Sequence, residues 1–104
     1  MPAESAFQTK FIKKLKRTFP GCVLLRNDPR YQQGMLDWTL LYGDTWASLE
    51  IKASRTAKRQ PNQDYFVEQL ADMSFAAYVY PENEEEVLAA LQEAFASRGA
   101  TCVP

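Results

Sequence analysis

A chain of 104 residues, 46% apolar and 24% charged, has room for one domain with a modest core. It has no histidine and only two cysteines. This excludes histidine-based triads and the usual Cys/His zinc sites. Net charge is −1, but the two ends differ. Residues 1–60 hold 11 Lys/Arg against 5 Asp/Glu, and residues 61–104 hold 1 against 8, an asymmetry that suggests a charged partner.

In chain order, Phe7, Phe11, Ile12, Leu15 and Phe19 recur at helical spacing and predict an amphipathic helix over residues 5–18. Ser5 and Gln8 have the spacing of a capping box. Lys10, Lys13, Lys14, Lys16 and Arg17 crowd the rest of that helix, either as a solvated face or as a phosphate-contacting one. Pro20-Gly21 should end the helix. "CVLLRN", 22–27, reads as a strand, and "DPRYQQG", 28–34, as a polar loop that carries Asp28, Arg30, Gln32 and Gln33 towards the next strand.

"GMLDWTLLYGDTWASLEIK", 34–52, reads as a β-hairpin around Gly43-Asp44. Glycine first in a two-residue loop suits a type II′ turn. That loop sets the register: Tyr42 faces Thr45, Leu40 faces Ala47, Trp38 faces Leu49 and Asp37 faces Glu50. Opposed residues share a face, with Cβ atoms about 4.5–5.5 Å apart. Lys52 joins that face two residues beyond Glu50, while Trp38, Leu40, Ala47, Leu49 and Ile51 form the apolar side. Like charges directly opposed on a sheet are destabilising. Lys52 can offset part of the repulsion, and a divalent cation such as Mg²⁺, which takes hard carboxylate oxygens, can offset the rest. The alternative is a surface ion pair on a solvated face.

"ASRTAKRQPN", 53–62, is a basic loop carrying Arg55, Lys58 and Arg59. A helix over about 62–73, with an apolar stripe of Phe66, Val67, Leu70 and Met73, leads to a strand, "SFAAYVY", 74–80. After Pro81, Asn83 should cap a last helix, 84–97, with Val87, Leu88, Leu91 and Phe95 inward. Glu84, Glu85 and Glu86 would complement its dipole, and "RGATCVP" reads as irregular. The order α-β-β-β-α-β-α predicts an α/β fold with a mixed four-stranded sheet flanked by helices, one domain over 1–104. No stretch is apolar for long enough to span a membrane. "MPAESAFQTKFIKKLKR" lacks the apolar core of a secretory signal. A cytoplasmic location, with Cys22 and Cys102 reduced, is therefore expected.

"QGMLD", a hairpin and then "LEIK" resemble the PD-(D/E)xK nuclease signature, and the element order resembles that superfamily's restriction-endonuclease-like core. The pattern is most similar to the virus-type replication–repair nucleases (VRR-NUC) and Holliday-junction resolvases, over roughly residues 4–80. The resemblance implies a Mg²⁺-dependent DNA endonuclease, with Mn²⁺ able to substitute, acting on branched DNA as a homodimer. A viral or mobile-element source, such as a phage, is also implied. Asp37 and Glu50 would bind metal, with the Ile51 carbonyl and Glu4 as further ligands. Lys52 would orient water or stabilise charge, and Gln63 would sit near the reacting groups. Leu36 stands where the family has proline, which removes a stiffener but no ligand. Lys13, Lys14, Lys16, Arg17, Arg30, Arg55, Lys58 and Arg59 are the candidates for DNA contacts. The alternative is an inactive nucleic-acid-binding or inhibitory module on the same fold. Leu41 and Trp46, opposed on the site-bearing face, are candidates for a dimer interface, or else pack beneath a helix.

Overall fold

The computed structural model describes residues 2–28, 30 and 32–102, and the side chains of 5–28, 30 and 32–96. The element order is α1 (Pro2–Thr18), β1 (Val23–Arg26), β2 (Trp38–Tyr42), β3 (Thr45–Ile51), α2 (Gln63–Met73), β4 (Ala76–Val79), a 3₁₀ turn (Pro81–Asn83) and α3 (Glu84–Cys102). The four strands form one sheet in the order β1-β2-β3-β4. β1, β2 and β3 are antiparallel neighbours, and β4 lies parallel to β3, the pairing for which the chain needs the α2 crossover. Among the described residues no helix is long and apolar enough to cross a membrane.

The hairpin adopts the register read from its turn, with Trp38 opposite Leu49, Leu40 opposite Ala47 and Tyr42 opposite Thr45. Gly43 has φ +62° while Asp44 is not in the positive-φ region, as a type II′ turn requires. One face of the hairpin presents Leu40, Ala47, Leu49 and Ile51 to the core. Phe7, Phe11 and Leu15 of α1 and Val87, Leu88, Leu91 and Phe95 of α3 close over that face. Phe19 sits between Tyr42 and Phe95, 5.2 Å from each ring centroid.

Three details of the helix ends differ from expectation. α1 begins at Pro2, a residue at home in a first helical turn because its missing N–H has no helical partner there. Ser5 therefore lies inside the helix rather than capping it, and Gln8 instead accepts a hydrogen bond from Trp38 Nε1 at 3.2 Å. Asn83 does not cap α3. Its Oδ1 accepts from the Tyr80 N–H at 2.9 Å and its Nδ2 donates to the Tyr78 carbonyl at 3.0 Å, which shapes the turn instead. α3 continues to Cys102, because nothing between 98 and 102 stops it: one glycine costs a helix only about 1 kcal/mol relative to alanine.

α2 packs mainly on β4, across the other face of the sheet. Phe66, Val67 and Leu70 are half-buried, but Met73 is 58% exposed, so the stripe does not extend to it. The buried residue of α2 is polar: Gln63.

Candidate active site

Asp37 lies immediately before β2, Glu50 lies at the end of β3 and Lys52 directly follows that strand. The approach to Asp37 is held from several sides. Asn27 donates its N–H to the Asp37 carbonyl at 2.7 Å, and its Nδ2 donates to the Leu36 carbonyl at 2.8 Å and to Thr39 Oγ1 at 3.1 Å. Leu36 is fully buried. Packing and a side-chain hydrogen bond thus hold the segment that leads into Asp37.

Glu50 is 4% exposed, Lys52 8% and Gln63 3%. Glu50 Oε1 accepts from the Asp37 N–H at 2.9 Å, and Glu50 Oε2 lies 3.5 Å from Lys52 Nζ. Lys52 Nζ also donates to the Lys58 carbonyl at 3.0 Å, tying the basic loop to the site. Gln63 Oε1 accepts from the Gln60 N–H at 2.9 Å. Its amide nitrogen is thereby left to donate to Glu50. Burial, and then the charge of Asp37, push the Glu50 carboxyl above its ordinary range. Lys52, the Asp37 N–H and Gln63 pull it back only in part.

These groups share a cavity of about 530 Å³. Its rim brings two loops together. Gly34 has φ +89°, and a Cβ there would lie 2.6 Å from the Pro61 carbonyl oxygen and 2.7 Å from Asn62 Cβ. Asn62 is itself left-handed, with φ +71°. Only glycine permits this approach, which sets the turn that delivers Gln63.

Asp37, Glu50, Lys52, Gln63 and Lys58 all line this cavity, with Gln33 and Gly34. The Ile51 side chain is fully buried in the core, so only its main chain is available to the site. Glu4 lies in the first turn of α1, and its side chain is outside the described residues. The other expected cations are elsewhere. Lys14 is paired with Glu84 at 3.0 Å and Glu85 at 2.9 Å. Lys13, Lys16 and Arg17 ride on α1, across the sheet from the site. Arg30 pairs with Asp28 at 2.7 Å, and Arg55 is exposed outside the cavity. Arg59 pairs with Asp64 at 3.0 Å and stacks 4.0 Å over the Tyr78 ring, facing a neighbouring groove of about 660 Å³ that holds neither Asp37 nor Glu50. The Tyr78 hydroxyl donates to Asp64, and burial followed by that carboxylate pushes its pKa up.

Three lining residues, Arg26, Met35 and Gln60, escaped the reading of the sequence. Arg26 is opposed to Trp38, so strand alternation assigns it to the core side. It lies on an edge strand, where its guanidinium folds over the Trp38 ring at 5.2 Å. A charge at an inward strand position was the available signal.

No protein-family model matches the chain, and no curated protein or solved structure matches it significantly.

Proposed function

We propose that this chain is a metal-dependent DNA endonuclease that uses Mg²⁺, or Mn²⁺ in its place, on branched DNA such as Holliday junctions. The observation that carries this reading is the convergence of Asp37, Glu50, Lys52 and Gln63 in one cavity at the end of a hairpin. The element order and the "LEIK" strand further support a restriction-endonuclease-like core and a single nuclease domain over 1–104. A phage-encoded enzyme working in the host cytoplasm fits the same resemblance.

The donor set suits a hard divalent cation. Asp37, just before β2, and Glu50, in the neighbouring β3, supply oxygen ligands from adjacent positions. Asp37, Glu50, the Ile51 carbonyl and Glu4 would hold the ion. Once bound, it would lower the pKa of a water and polarise a phosphoryl oxygen. Lys52 holds a fixed cation beside Glu50, positioned to stabilise negative charge building on phosphate. Gln63 orients the Glu50 carboxylate and, through Gln60, ties it to the 58–62 turn. Lys58 offers its side chain to the substrate backbone at the cavity wall.

Leu41 is exposed on the site-bearing face, with Val23 and Leu25 of β1 beside it, and Trp46 opposite it is half-buried. This apolar strip is the surface through which we infer a two-fold dimer, the commonest oligomer. Sedimentation at micromolar concentration is expected to give twice the chain mass. A monomeric mass, with nicked circles as first product from a cruciform plasmid, ends that part of the reading.

Leu36, where the resembled family has proline, favours the rival, a nucleic-acid-binding module without chemistry. Among the described residues no three Asp, Glu, Cys or His side chains gather as a metal site. Incubation with labelled duplex, flap and four-way-junction DNAs, with Mg²⁺ or with chelator, separates the two. Metal-dependent product supports the enzyme. Binding without product in any metal establishes the module.

A further inference from the structure

Arg26 is exposed on the edge strand β1, yet it lines the same cavity as Asp37, Glu50 and Lys52. Among the described residues it makes no ion pair, whereas Arg30 is held by Asp28, Arg59 by Asp64, and Lys52 by Glu50. Its guanidinium is not loose. It lies 5.2 Å from the Trp38 ring centroid, and Trp38 is itself anchored through Nε1 to Gln8 at 3.2 Å. Stacking on an aromatic face leaves the N–H edge of the guanidinium directed outwards.

We propose that Arg26 is a phosphate-binding fork of this site, gripping a backbone phosphate adjacent to the one that reacts. The inference rests on the nuclease reading for the identity of its ligand, a nucleic-acid phosphodiester. Three arguments support it. The cavity lining carries Arg26, Lys52 and Lys58 against Asp37 and Glu50, so cations outnumber carboxylates and its charge suits an anion even before the carboxylates hold a metal. A planar fork makes two parallel hydrogen bonds to phosphate, and prior stacking removes much of the entropy lost on binding. β1 lies two strand spacings from β3, about 10 Å. A phosphate on Arg26 is therefore separate from one beside Lys52, and holding both fixes the direction of the strand in the cavity. The bland alternative is that Arg26 only covers Trp38, which makes it a packing residue.

Salt dependence distinguishes the two. Binding of fluorescent duplex and junction DNA is titrated over a range of salt in chelator, so that no strand is cut. The wild-type chain is compared with Arg26→Ala and Arg26→Lys. Loss of one phosphate contact lowers the slope of log affinity against log salt by about one, an effect that lost packing does not produce. Arg26→Ala is expected to give that drop. Arg26→Lys should keep the slope but bind several-fold more weakly, because an ammonium lacks the fork. Wild-type binding with an unchanged slope in Arg26→Ala, or full affinity in Arg26→Lys, overturns the assignment and leaves the nuclease reading standing. A wild-type chain that binds no DNA overturns both. The expected slopes without metal-dependent cleavage uphold Arg26 and overturn only the enzyme.

Discussion

On the side of the sheet that meets α1 and α3, Phe11, Leu15, Leu40, Leu49, Ile51 and Leu91 are fully enclosed. On the side that meets α2, the enclosed residues at the sheet end are Glu50, Lys52 and Gln63, and the strip at Val23, Leu25 and Leu41 lies open. The first side gains from apolar burial and requires nothing of geometry beyond packing. The second buries charge, which costs stability unless each group is partnered, and the partners come from three separate segments: Asp37, the 58–60 loop and α2. Apolar burial is concentrated on one face and the proposed chemistry on the other, so substitutions on the two faces should differ in what they change.

The largest effect should come from the closed face. Phe11→Ala leaves a cavity where the ring is fully buried and is expected to cost about 3–5 kcal/mol, read as a lower urea midpoint. A loss under about 1 kcal/mol, well below that range, would show that α1 does not clamp the core.

The site face should respond in the opposite sense. Lys52→Ala is expected to lower cleavage on the order of 10²–10³-fold, and Asp37→Ala or Glu50→Ala to abolish it. For Asp37→Ala the melting temperature should hold or rise, since it removes like-charge repulsion on Glu50, whereas Glu50→Ala should lower it, since it leaves the buried Lys52 without its carboxylate partner. Full cleavage by either acid variant sinks the site assignment.

Gly34→Ala tests the join between the faces' loops. Its Cβ would meet Pro61 and Asn62 at a positive φ, costing about 1–3 kcal/mol and displacing the turn that carries Gln63. Cleavage should fall together with stability. If Gln63→Ala lowers the rate and Gly34→Ala does not, the turn tolerates the shift and Gly34 serves the fold alone.

The smallest effect concerns pH. The folded state raises the Glu50 pKa, so between its unfolded and folded values the native chain binds more protons than the unfolded one. Stability therefore falls as pH rises through that window. Glu50→Gln should remove that contribution: compared at about pH 4 and about pH 8, its advantage over wild type should be larger at the higher pH. An equal difference at both ends would mean that Asp37 and burial do not act on Glu50 as described.

The sequence alone determined the hairpin and its pairing. A two-residue Gly-Asp turn leaves one register, and strand alternation then puts Asp37, Glu50 and Lys52 on one face and the core residues on the other. Helical periodicity likewise identified the enclosed residues of α1 and α3. What only the tertiary structure decided lies where alternation and periodicity have no authority. Asn27 and the buried Leu36 hold Asp37 through contacts between separate segments, and the Gly34–Pro61 approach depends on two loops meeting. Lys14 reaches α3 because α1 and α3 pack side by side, and Lys13, Lys16 and Arg17 are carried away from the site by that same packing. Arg26 lines the cavity while its guanidinium lies over Trp38 of the neighbouring strand, a placement that alternation alone does not assign. Local patterns specify which face a residue occupies, but the partners of a charged group are set by how distant segments converge.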